Sequence, residues 1–303
     1  MLYERPIPRD LEGILDIEEI RGLQDAFLDE SVEELERGMR HLIGPESMEE
    51  GAGMMHQLFR AVHSLKGSAS VFGYDDLSRL SHQVEHLLSP YRQLPSKEMF
   101  DRRDEILNLI EILLTLVRDG KQDCMDCLAA EADIRQWSTS SSVHTYTPPT
   151  VAAPVHAESV GQARQEDARP RSSSPAPVPQ LALPARALMA DSSRTFPRLI
   201  QRVLTPLNIH CVDCANGVDV IEQCAIQVPP LLLLGYVLPD MDGGELLRLL
   251  HEAGLLPPVV VLVSAREERE MRDLIPFPFI FVHKDHLMAD AIASVMRSLI
   301  GSR

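Results

Sequence analysis

The sequence predicts two folds in one multidomain chain. The first is an all-α antiparallel bundle of four or five helices, and the second an α/β doubly wound sheet of five parallel strands. Three observations predict this. Up to residue 137, apolar residues recur at spacings of three and four, the period of a helix face. Residues 138–181 are rich in Ser, Pro and Ala and carry no apolar period. From residue 182 to 303, short apolar runs alternate with helical segments, the order expected of a parallel sheet.

Each element follows in turn. Leu28, Val32, Leu35, Met39 and Leu42 form a first stripe, stopped by Gly44-Pro45. Leu58, Val62, Leu65, Ala69 and Phe72 form a second, closed by Gly73. Leu77, Leu80, Val84 and Leu87 form a third, with Asp75 expected as its N-cap. Leu107, Ile110, Leu114 and Val117 form a fourth, ended by Gly120, and residues 124–137 add a short fifth helix. Burying each large stripe residue contributes about 1.5–3 kcal/mol, so the stripes can hold a bundle with short turns. The bundle is expected over 1–137. The segment 138–181 cannot bury enough surface to offset its ordering entropy and reads as a linker. Beyond it "ARALMA", "IHCV", "LLLL", "VVVLV" and "FIFV" read as strands of a domain spanning 182–303.

Composition excludes several classes. The chain has 303 residues and a formal net charge of −16, which argues against a nucleic-acid partner. The start, "MLYERPIPRDLEG", lacks the apolar core of a secretory signal. No stretch approaches the ~20 apolar residues of a membrane span, and "ILNLIEILLTLV" is broken by Asn108 and Glu111. A cytoplasmic protein is expected, without membrane association. Two CxxC pairs, Cys124/Cys127 and Cys211/Cys214, lie on opposite sides of the linker and read as reduced thiols rather than a shared zinc site.

The stretch "AVHSLKGSASVFG" holds the main clue to chemistry. His63, Lys66, Gly67 and Ser70 share the side of the second helix that faces away from its apolar stripe. Gly67 costs a helix interior roughly 1 kcal/mol against alanine, so packing alone does not account for it. His82 and Glu85 share a face of the third helix. His63 and Glu85 stand eleven residues either side of Tyr74, and Lys66 and His82 stand eight. In an antiparallel hairpin His63 should therefore face Glu85, and Lys66 should face His82. A carboxylate holding the Nδ1 proton of His63 leaves Nε2 nucleophilic. Lys66 can offset phosphoryl charge, and Gly67 clears space for a partner. The pattern predicts a histidine that carries a phosphoryl group.

With "HSLKGSA" followed by "HQVEHLL", the first half resembles the histidine phosphotransfer (HPt) domain, in the form found at the N-terminus of chemotaxis histidine kinases. The resemblance covers roughly residues 20–137. It implies His63 as phosphoacceptor, supported by Lys66, Gly67, His82 and Glu85. "HQVEH" also fits a zinc-peptidase pattern, but the downstream acids Glu158 and Glu166 fall in the linker, so no metal is expected.

The second half resembles a response-regulator receiver domain, a flavodoxin-like fold, over residues 183–300. The family ends its third strand with the phosphoacceptor aspartate. Here "LLLLGYVLPDMDGGEL" places Gly235 there. Of the paired acids ending the first strand, one is Ala190 and only Asp191 remains. Ser264 and Lys284 match the family's hydroxyl and lysine, while Asp285 replaces the proline after it. Glycine offers no nucleophile, and Mg²⁺ lacks two of its usual carboxylates. The resemblance thus implies a receiver fold without receiver chemistry. Asp240 and Asp242 could take over only by refolding the loop. Lys284 is free to pair with Asp191.

The nucleotide-binding glycine boxes of a kinase are not seen, since "GAG" at 51–53 follows no strand, and neither a kinase nor a transcription factor is expected. The expected function is two-component phosphorelay signalling by a phosphocarrier, not an enzyme with an ATP site. His63 would exchange phosphoryl groups with a histidine kinase or a partner response-regulator receiver domain. No cofactor is expected in this chain, and Mg²⁺ only from that partner. The receiver-like half would serve for docking or regulation. The alternative is a scaffold that binds signalling proteins and never carries phosphate.

Overall fold

The computed structural model describes residues 5–43, 47–93, 101–121, 125–140, 181–183 and 185–300. Most of the expected linker lies outside the described residues, as does Cys124. The first fold contains α1 (Ile17–Ile43), α2 (Ser47–Val71), α3 (Asp75–Leu88), α4 (Arg103–Lys121) and α5 (Cys127–Ser140). Among the described residues no helix is long and apolar enough to cross a membrane.

Local chemistry sets the helix ends. Asp16 and Glu19 form a reciprocal capping box at the start of α1: the Glu19 amide donates to Asp16 Oδ1 at 2.8 Å and the Asp16 amide to Glu19 Oε2 at 3.3 Å. Gly73 ends α2 with φ +79°, a conformation that favours glycine. The expected N-cap Asp75 is instead the first residue of α3. Tyr74 takes the cap position, drawn into the core, so Asp75 and Asp76 act on the helix dipole from the first turn. The α4 helix runs one residue past Gly120.

The predicted stripes meet in one core. Leu28, Leu35, Leu58, Val62, Leu77, Leu80, Val84, Ile110 and Val117 are all fully buried. Phe27 stacks on Phe72 with ring centroids 5.2 Å apart, and Tyr74 lies 6.0 Å from Phe27. Gln24 spans from this core to the N-terminal segment, donating to the carbonyls of Pro6 at 2.7 Å and Phe72 at 3.0 Å.

The second fold alternates strands and helices: β1 (Ala185–Ala190), α6 (Thr195–Leu204), β2 (Ile209–Cys214), α7 (Gly217–Ile226), β3 (Leu231–Gly235), α8 (Gly243–Glu252), β4 (Val259–Ser264), α9 (Glu268–Leu274), β5 (Ile280–His283) and α10 (Met288–Ile300). All pairings are parallel, in the order β2-β1-β3-β4-β5. Central strands β3 and β4 are buried at every position, as expected of a sheet covered on both faces. This is the doubly wound order whose switch point lies at the carboxyl ends of β1 and β3. Asp191, Gly235, Ser264 and Lys284 gather there.

The apolar core of the bundle runs without a break into the sheet face covered by α6 and α10, and the face under α7, α8 and α9 forms a separate core. The two folds therefore pack on each other. The packing brings helix α2 over the switch point of the sheet.

Candidate functional site

Helices α2 and α3 bring the predicted constellation together, with one exchange of partners. His63 Nδ1 and Glu85 Oε1 are 2.7 Å apart, as the hairpin count predicts. Lys66 and His82 line one cleft, but the hydrogen bond of Lys66 goes to Glu85. Its Nζ donates to Glu85 Oε2 at 2.7 Å, because the long lysine stem reaches the nearer buried carboxylate, while His82 stays exposed. One carboxylate thus serves both neighbours. Burial pushes Glu85 up, but the His63 hydrogen bond and the Lys66 charge outweigh it and hold the carboxyl well below its usual range. Burial lowers the pKa of His63 against the opposing pull of Glu85, so the imidazole is neutral near pH 7. With the proton on Nδ1, Nε2 carries the lone pair.

His63 lies off the bundle core, as its helical position predicts, yet it is only 7 % exposed. The second fold covers the side of α2 that faces away from the bundle core. His63, Ser64 and Gly67 line a cavity of about 20 Å³ with Asp191, Tyr236, Ser264 and Lys284. A side chain at Gly67 would begin 3.3 Å from both Ala265 Cβ and Lys284 Cδ, so this glycine permits the close approach. A cleft of about 740 Å³ shares Ala265 and Lys284 with that cavity and is lined by Lys66, His82 and Glu85.

On the sheet side, Lys284 Nζ donates to Asp191 Oδ1 at 2.9 Å and Oδ2 at 3.0 Å, and lies 5.0 Å from the ring centre of Phe196. The Asp191 carboxylate fills the space that a side chain at Gly235 would enter. The Ser264 hydroxyl accepts from the Arg266 amide at 3.1 Å. Asp240 is turned outward, accepting from the Gly217 and Val218 amides at 2.8 and 3.0 Å. Asp242 caps α8 through the Glu245 amide at 2.9 Å. Neither replaces the missing aspartate. The residues at this switch point do not fit Mg²⁺: both oxygens of Asp191 are taken by an ammonium, and Ala190 and Gly235 bring no carboxylate.

Two residues that hold the seam escaped the sequence reading. Glu30 of α1 is buried and accepts from the amides of Arg194 (2.6 Å) and Thr195 (3.2 Å), and from the hydroxyls of Thr195 (2.7 Å) and Ser193 (3.4 Å). It acts as the cap of α6 from another fold. Arg60 of α2 donates to the carbonyls of Leu238 and Pro239. Nothing in either local sequence pattern marks a partner so far along the chain.

The cysteines carry no such geometry. Burial pushes the Cys211 and Cys214 thiols of β2 up to about 12, which keeps them protonated.

Comparison with known proteins agrees with the first fold. Residues 22–120 match the family model of the Hpt domain. The chemotaxis protein CheA of Bacillus subtilis is 32% identical over 116 residues, covering 36% of this chain and 17% of that protein. CheA of Halobacterium salinarum is 33% identical over 110 residues, covering 36% and 15%. The chain thus spans less than a fifth of these relatives. Among solved structures, the Francisella response regulator 1452 receiver domain aligns over 38% of this chain and 96% of that one at 16% identity and a TM-score of 0.34. A CheY-like receiver domain from Methylobacillus flagellatus aligns over 37% and 98% at 19% identity and a TM-score of 0.31. Residues 22–120 thus match the Hpt domain and are similar to part of the chemotaxis proteins CheA, and they are joined to a receiver-like fold in which Gly235 ends β3.

Proposed function

We propose that this protein is a phosphorelay carrier that receives and donates a phosphoryl group at His63. The observation that carries the reading is the shared carboxylate: Glu85 accepts from Nδ1 of His63 and from Nζ of Lys66, both at 2.7 Å, within an Hpt domain. The Nε2 lone pair attacks phosphorus of an aspartyl phosphate on a partner receiver. The N–P bond forms as the P–O bond breaks, and the electron pair leaves with the carboxylate. The Nδ1 proton stays on the nitrogen held by Glu85, and Lys66 offsets incoming charge. Phosphoryl transfer rests mainly on positioning and charge, so a small bundle suffices, with Mg²⁺ supplied by the partner. We assign the bundle, the linker and the receiver-like half to 1–137, 138–181 and 182–303.

The test is incubation with a histidine kinase and ATP, or with a phosphorylated receiver. Acid-labile, base-stable label on His63, absent from His63→Gln, supports the carrier. Its absence with every donor from the same genome favours a second reading, an adaptor that never carries phosphate. The burial of His63 beneath the receiver-like fold is the observation on that side.

A further inference from the structure

We infer that the receiver-like fold is a reversible cap on His63, and that docking of the cap and phosphorylation of His63 exclude each other. The inference rests on the carrier reading above and names the regulation of that site.

Three observations carry it. First, the cap covers the reacting face itself. His63, Ser64 and Gly67 lie against the switch point of the sheet, with Ser64 and Ser192 hydroxyls 3.4 Å apart. A free receiver needs that same face to bring its aspartyl phosphate to Nε2. Second, the covered space is narrow. A cavity of about 20 Å³ holds one water molecule. A phosphoryl group adds phosphorus and three oxygens, and brings its charge beside Asp191 and Glu85. The cation that the receiver-like fold brings to this cavity, Lys284, is already engaged by Asp191.

Third, the seam is built rather than incidental. Buried Glu30 takes its hydrogen bonds from residues 193–195 of the other fold, and Arg60 binds two of its carbonyls. Loss of the phosphoacceptor at Gly235 suits a cap. A domain that docks on His63 without an aspartate covers the histidine and cannot take its phosphate.

The consequence is reciprocal. Whatever factor the docked cap takes from the phosphorylation equilibrium, phosphorylation takes from docking. A phosphoryl group forms by attack of Nε2 in the open chain, with the donor carboxylate or ADP as leaving group. It then holds the chain open until a receiver removes it.

The test uses the full chain and two variants on opposite sides of the seam. Glu30→Arg puts a cation at the start of α6, and Ala265→Trp drives a wedge toward Gly67. Diethyl pyrocarbonate modifies accessible neutral imidazoles, and mass spectrometry resolves the sites with exposed His210 as reference. His63 of the parent should react at least about tenfold slower than His210, and both variants should close that gap. Labelling of His63 from phosphoramidate should rise about tenfold in the variants, within the range for coupled sites. On phosphorylation of the parent, the amides of Arg194 and Thr195 should lose protection against deuterium exchange. Equal reactivity of His63 and His210 in the parent overturns the cap, as does retained protection of those amides in the phosphorylated chain. If the variants expose His63 to the reagent while no donor phosphorylates it, the cap stands and the carrier reading fails.

Discussion

Asp191 and Lys284 form a bidentate ion pair, 2.9 and 3.0 Å, in the space a side chain at position 235 would claim. The pair is nearly inaccessible to water, at 8 % exposure for each residue. By the resemblance to receivers, the acid would hold a metal ion and the lysine would belong to the same site. Here they serve each other, and the pocket is closed by its own charges.

Gly235→Ala should therefore be destabilising. The new methyl meets the Asp191 carboxylate and must push it off Lys284. Overpacking of this kind costs about 1–3 kcal/mol, read as a lower midpoint in urea. An unchanged midpoint would mean that Asp191 moves aside freely.

The receiver-like fold should take no label from acetyl phosphate, with or without Mg²⁺. Base-labile phosphate on the full chain would show that a carboxylate such as Asp240 or Asp242 has replaced the missing aspartate.

Removing Glu85 should slow phosphorylation more than removing Lys66, because Glu85 holds both neighbours. For Glu85→Ala we expect a loss of about 10², the low end for orienting groups, and for Lys66→Ala a smaller one. The double variant should be no slower than Glu85→Ala, since the two residues act through one carboxylate. Strictly additive losses in rate measurements would separate their roles.

The seam should open as pH rises. Burial pushes Asp10 up to about 6, against the opposing amide of Ala289 in the other fold. Burial, with the charge of Glu30, pushes Glu34 up to about 8. Glu34 lines a cavity of about 470 Å³ with Arg60, Asp191 and Arg194. A raised pKa in the docked chain means that docking holds protons which separation releases. The favourable contribution is complete below the ordinary values, 3.8 and 4.5, and is lost as pH climbs through about 6 and about 8. The radius of gyration from small-angle scattering should be larger at pH 8.5 than at pH 5.5, and Glu34→Gln should flatten the upper part of the change. A radius that is constant across this range would refute the assignment.

The sequence made the interior of each fold legible because local period and local burial coincide. Leu58, Val62 and Leu65 recur at helical spacing and share one core, and "VVVLV" is a strand buried on both faces. His63 and Glu85 were legible for a similar reason, since a tight turn at Gly73 makes the count across it reliable. What escaped depends on contact between distant segments. Lys66 has reach enough to choose among partners, so its spacing did not fix its hydrogen bond to Glu85. Glu30 and Arg60 have partners on residues 193–195 and 238–239, and no period in α1 or α2 encodes them. The burial of His63 belongs to the same class. It depends on residues of the second fold that line the same cavity.

The contact made by Arg60 has a bearing on partner choice. Its guanidinium donates to the main-chain carbonyls of Leu238 and Pro239. A loop of the same backbone course on a free receiver would present the same two oxygens whatever its residues. Those two hydrogen bonds are therefore indifferent to identity, although the charge of Asp240, next along the loop, also acts on Arg60. Selectivity has to be written into side-chain contacts such as Glu30 with Thr195. The tethered domain keeps its standing advantage through proximity, since it is always present at high local concentration.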